Sequence, residues 1–125
     1  MYRRNIDVVI ASRSQNLAQL IADAPKGKEI SITVTHADAE MLNNHPNCDI
    51  FICDFDQLEL DGVEKANAGS AVVLCLNKNQ LERLPTSLLF NIADIWIHPF
   101  SPELICFRYQ KLIQKILLER KFNLN

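Results

Sequence analysis

Five short apolar runs punctuate the chain: Ile6 to Ala11, the alternating stretch Glu29 to Thr35, Ile50 to Cys53, Ala71 to Leu76, and Ile95 to Ile97. Runs of this length, bounded by turn residues and rich in Ile and Val, predict strands. The second alternates Ile30, Ile32 and Val34 against polar partners, which suits a strand nearer the sheet edge; the others read as buried parallel strands. Helical spacing fills the intervals. Leu17, Leu20, Ile21 and Ala24 follow Ser14, a residue suited to cap a helix start, and Pro25 to Gly27 stops the pattern. Ala37 to Asn44 reads as a short helix ended by His45-Pro46. Val63 to Ser70 leaves room for barely two turns. Asn79 to Ala93 carries Pro85 inside a helical stretch, which breaks it or restarts it there. Ser101 and Pro102 open a last helix to about Arg120, with Ile105, Tyr109, Leu112, Ile113 and Ile116 as its core stripe. Strands alternating with helices predict an α/β fold, a parallel sheet covered on both faces.

Length and charge narrow the function classes. At 125 residues the chain fits one domain, placed at 1–121, with 122–125 as a tail that could begin a linker. A net charge of -2 and no basic helix stripe give no electrostatic footprint for nucleic acid. No apolar stretch is long enough to span a bilayer, and Tyr2-Arg3-Arg4-Asn5 precedes only a six-residue apolar strand, so no membrane partner and a cytoplasmic location are expected. Cys48, Cys53, Cys75 and Cys106 are widely spaced in mostly apolar surroundings and form no metal-ligand pattern. Buried free thiols are expected, with Cys53 facing away from its neighbour Asp54.

Asp54 is the chemically loaded position. It ends the run Ile50 to Cys53, and open α/β sheets place their ligands outside the C-terminal edge of the strands. Two motifs then carry a family resemblance. Asp49 to Gly62, with its trailing Asp61-Gly62, resembles the third strand and following loop of response-regulator receiver domains. Ala93 to Leu104, with His98-Pro99-Phe100-Ser101-Pro102-Glu103, resembles the end of that family's fifth strand, histidine standing for lysine. The resemblance runs along nearly the whole chain. It implies a flavodoxin-like (CheY-like) doubly wound five-stranded sheet with a short third helix, Asp54 as phosphoacceptor, and a cis His98-Pro99 bond.

The chain departs from that family where the chemistry lies. Receivers hold Mg²⁺ with two adjacent acids after the first strand, and Mg²⁺ demands hard oxygen ligands; here Ser12 and Arg13 occupy those positions. The hydroxyl residue that binds the phosphate falls on Leu76, and the cationic lysine falls on His98, which is charged only part of the time near neutral pH. The aromatic switch position falls on Ile95. Phosphoryl transfer needs metal and cation to neutralise developing charge. Asp54 therefore reads as the survivor of a degenerate site, a pseudo-receiver with no cofactor, Mg²⁺ entering only if Asp54 proves competent.

Three substitutions stay open on sequence alone. The Arg13 guanidinium either pairs with Asp54 or points to solvent. Asp56 either helps restore a cation site or is a loop acid. His98 either stands in for lysine or is held by a backbone hydrogen bond, while His36 and His45 read as surface residues. Leu104, Phe107 and Leu118 fall off the core stripe of the last helix, and with Ile95 and Ile97 they predict an apolar interaction patch. The partner would be an output domain, a sensor kinase or a second copy pairing through the last strand and helix. The reading is a phosphorylation-independent signalling module of a two-component system. Its rivals are a conventional phospho-accepting receiver and a small-ligand or nucleotide-binding domain of the same fold. Against the latter, the chain has only 3 glycines and no phosphate loop after the first strand. Nothing in the sequence reads as an enzyme's catalytic motif.

Overall fold

A computed structural model describes residues 5–24, 31–36, 47–55, 70–89 and 92–123. The apolar runs become β1 (Asn5–Ala11), β2 (Ser31–His36), β3 (Ile50–Asp54), β4 (Ala71–Leu76) and β5 (Asp94–Ile97). They pair in parallel in the order β2-β1-β3-β4-β5, the doubly wound five-stranded sheet that the alternation of elements implies. β2 lies at an edge, so Ile32 and Val34 are only half-buried and their alternate neighbours exposed. β3 lies in the centre and is buried along its whole length. This explains why one run alternates and the other does not.

Parity sorts the strand side chains onto two faces. Ile6, Val8, Ile10, Ile50, Ile52, Val73, Cys75 and Trp96 form one core layer. Helix α1 (Gln15–Asp23) covers it with Leu17 and Ile21, and the long C-terminal helix α4 (Pro102–Asn123) with Ile105, Tyr109, Leu112, Ile113 and Leu117. Val9, Phe51, Cys53, Val72, Leu74 and Leu76 form the other layer, met by Leu88. Both faces are covered, as the near-continuous apolar strands require.

Local chemistry sets the element ends. Ser14 Oγ accepts from the Leu17 N–H at 3.2 Å and caps α1. Pro85 divides its segment into two short helices, α2 (Lys78–Leu81) and α3 (Thr86–Leu89). Asn77 opens α2 with a reciprocal capping box, exchanging bonds of 2.9 Å with Gln80. Two sequence readings shift. The last helix runs to Asn123 rather than to about Arg120, and Leu117 is buried in its core stripe while Ile116 is only half-buried. The segments at 37–44 and 63–70, Pro25 to Gly27 and Asp56 lie outside the described residues, except Ser70. No helix among the described residues is long and apolar enough to cross a membrane.

Candidate functional site

β3 ends by carrying Asp54 to the C-terminal edge of the sheet, where it is only 8% exposed and is the one buried charged side chain among the described residues. A carboxylate taken out of water needs donors to replace its hydration. The turn between β1 and α1 supplies them. The Ser12 hydroxyl donates to Asp54 Oδ1 at 2.8 Å, and the Arg13 backbone N–H donates to Oδ2 at 2.9 Å. The Ser14 N–H in turn donates to Ser12 Oγ at 3.1 Å, which fixes the hydroxyl as a donor toward the carboxylate. Ser14 thereby links the Asp54 contact to the cap of α1. Both oxygens of Asp54 are thus held by charge-assisted hydrogen bonds.

The thiols near this site, Cys53 and Cys75, are buried. Cys75 stands opposite Asp54 in the β3–β4 register, and burial first, then the Asp54 charge, pushes its thiol up. Burial likewise raises Cys53, with smaller contributions from Cys75 and Asp54. Cys53 packs on the opposite face from Asp54, with Sγ 3.6 Å from the Val73 carbonyl. Buried thiols of raised pKa make poor nucleophiles. All four cysteines are free.

The remaining acceptor-site positions are dispersed. Leu76 is fully buried in the second core layer, and its carbonyl accepts from the His98 N–H at 2.9 Å. The His98 ring leans on Phe100, with centroids 3.9 Å apart and planes at 44°, next to a cis His98-Pro99 bond. His98, Pro99, Phe100 and Pro102 face α1 residues Asn16, Gln19, Leu20 and Asp23 across a groove of about 460 Å³. Ser12, Arg13 and Asp54 therefore form one cluster, and His98 belongs to a groove beside it. Among the described positions where the resemblance implies metal ligands, Asp54 is the one carboxylate. Asp54 already accepts on both oxygens, and the two positions after β1 offer a donating hydroxyl and an arginine.

The expected patch divides between two surroundings. Ile95 and Ile97 are half-buried and pack on the second core layer. Leu104, Phe107 and Leu118 are exposed on α4. Arg108 bridges strand and helix, its Nη1 donating to Asp94 Oδ1 at 2.6 Å and to the Ile95 carbonyl at 3.3 Å. Asp94 also accepts from the Trp96 indole at 2.9 Å. The sequence reading omitted Phe122, which projects from the same helix and is 70% exposed. Its spacing of four residues from Leu118 carries that information once the helix is known to reach it. Sequence reading also missed the role of Ser12. A hydroxyl donor facing a carboxylate acceptor is a complementary pair, visible once the two strand ends are neighbours.

No protein-family model and no curated protein matches the chain. Among solved structures it is similar to the receiver domain of AraT, a response regulator from Geobacillus stearothermophilus, with TM-score 0.67 and 14% identity over 91% of this chain and 97% of that one. It is also similar to the pilus assembly protein CpaE from Caulobacter crescentus, with TM-score 0.58 and 16% identity over 88% of this chain and 99% of that one. A third similarity is to NtrX from Brucella abortus in complex with ADP, with TM-score 0.70 and 12% identity, covering 95% of this chain and 28% of that one. Together with the strand order and the Asp54 position, these likenesses show that the chain has the fold of a response-regulator receiver domain.

Proposed function

We propose that the chain is a receiver-like signalling domain of a two-component system that acts without phosphorylation at Asp54, as a pseudo-receiver engaging a protein partner. The pair of donors on Asp54 carries this reading. A carboxylate that attacks phosphorus needs an oxygen free to form the new bond, and the reaction needs cations around the three phosphoryl oxygens. Here the Ser12 hydroxyl and the Arg13 amide each donate to one oxygen, at 2.8 and 2.9 Å, so attack by Asp54 would compete with two charge-assisted bonds. Leu76 and Ser12 offer neither a phosphate donor nor a metal-binding carboxylate. The bonds instead hold the β1–α1 turn against β3, which favours one fixed conformation over a two-state switch. Contact with an output domain, a sensor kinase or a second copy would then use the last strand and helix, including Ile95, Ile97, Leu104, Phe107 and Leu118.

The test is incubation with Mg²⁺ and a small-molecule phosphodonor beside a competent receiver, read by intact mass with Asp54→Ala as control. The folded protein should gain no phosphoryl adduct. An adduct that disappears in Asp54→Ala would make Asp54 a working acceptor and overturn the proposal.

A further inference from the structure

Helix α4 has two apolar faces, and the core clusters of the described residues use one of them. Leu104, Phe107, Leu118 and Phe122 stand on the solvent side, 49%, 57%, 54% and 70% exposed. At about 100° per residue they share a band roughly 80° wide with Lys111 and Lys115, extending about 27 Å along the axis. Lys111 Nζ lies 5.5 Å from the centre of the Phe107 ring. An exposed apolar stripe at helical spacing suits the apolar face of another helix.

We propose that this stripe receives an acidic amphipathic helix of a partner protein. Apolar side chains of that helix would pack at its two ends, against Leu104 and Phe107 and against Leu118 and Phe122. Its carboxylates would meet Lys111 and Lys115 in the middle. The proposal rests on the reading that the domain works through protein contact, and names the partner's chemistry.

Charge decides against a second copy. Two copies of α4 packed parallel would set Lys111 against its own counterpart. Packed antiparallel, with Leu104 against Phe122, they would set Lys111 against Lys115. No carboxylate of α4 lies within the band to relieve this, since Glu103 and Glu119 stand about 80° from its centre line. Like charges at a helix–helix seam disfavour that pairing and select a partner of opposite charge.

A synthetic 20-residue helix-forming peptide tests this, with leucines spaced to match the stripe and glutamates opposite Lys111 and Lys115. A control peptide carries lysines at those two positions. Calorimetry should show saturable binding of the glutamate peptide and at least about tenfold weaker binding of the lysine peptide, about 1.4 kcal/mol. Lys111→Glu with Lys115→Glu should invert the preference, and Leu118→Ser, an exposed site that leaves the core intact, should weaken both. Equal affinity for the two peptides, or no saturable binding, would overturn the proposal. So would a dimer in sedimentation that Leu118→Ser dissociates, which would assign the stripe to a second copy. A phosphoryl adduct on Asp54 would defeat the proposed function and leave the peptide result standing, so the two failures are separable.

Discussion

Ser12 lies 42 positions from Asp54 in the chain and 2.8 Å from it in the fold. Removing its hydroxyl leaves Asp54 Oδ1 without that donor and the Ser14 N–H without its acceptor. Hydrogen bonds to a charged group contribute about 1.5–3 kcal/mol, and the half-buried position of Ser12 lets water restore part of that. Ser12→Ala should therefore lower stability by roughly 1.5 kcal/mol in urea unfolding, with Ser12→Thr retaining most of it. An unchanged midpoint for Ser12→Ala would show that the bond to Asp54 contributes little. Tyr109 offers the opposite case at the same scale. Its ring is 1% exposed in the core, and its hydroxyl has no hydrogen-bond partner among the described residues. The cost of that buried hydroxyl predicts that Tyr109→Phe leaves stability unchanged or raises it.

Among the elements, α4 is fastened at its far end by one arginine. Arg120 donates from Nη2 to Asp49 Oδ1 at 2.6 Å and from Nη1 to the Asn5 carbonyl at 2.8 Å. Asp49 Oδ2 accepts from the Asp7 N–H at 2.8 Å, so the last helix, β1 and the residue preceding β3 meet at one corner. Both side chains of the ion pair are 17% exposed, between the surface and buried regimes. Arg120→Ala should cost roughly 2 kcal/mol and speed amide exchange in the last turns of α4, while 0.5 M salt should change the wild-type midpoint little. A loss that salt reproduces in the wild type would make it a weak surface pair. This corner also explains the boundary that sequence reading placed too early. Lys121 and Phe122 carry no stop signal and no periodic core position. Helicity there is supported by a tie to residues near the start of the chain. By contrast, the Ser14 cap, the break at Pro85 and the start at Ser101-Pro102 were legible, because each depends on side chains within a few residues of the backbone they satisfy. The Asn77–Gln80 capping box is just as local, but Asn77 stands two residues ahead of the helical pattern that starts at Asn79.

The whole molecule inherits a pH dependence from its buried neutral groups. Burial pushes Tyr109 from 10.0 to about 12, and burial foremost raises the Cys53 and Cys75 thiols above 9.0. These protons are held in the folded state after the unfolded chain has released them. Their contribution is fully present below pH 9, declines as the unfolded thiols and then the unfolded tyrosine ionise, and is exhausted once pH passes the folded values. Moving the Tyr109 hydroxyl from 10.0 to about 12 corresponds to roughly 2–3 kcal/mol. Urea midpoints should fall steadily from pH 9 to pH 11, and Tyr109→Phe should flatten the part above pH 10. A midpoint independent of pH over that range would show that these groups ionise equally in both states.

Taken alone, the sequence determined the succession of five strands, their parallel sheet, the edge position of β2 and the placement of Asp54 at a strand end. Each of these follows from apolar periodicity and turn residues acting over a few neighbouring positions. Only the tertiary structure decided what Asp54 touches, because β1 and β3 pair through residues some 40 positions apart and their register brings Ser12 and Arg13 to its two oxygens. The same holds for the solvent-facing stripe of α4. Periodicity shows that Leu104, Phe107 and Leu118 leave the core face, but packing of α4 against the sheet and α1 decides which direction that face takes. Local pattern fixes elements, and cross-chain register fixes partners.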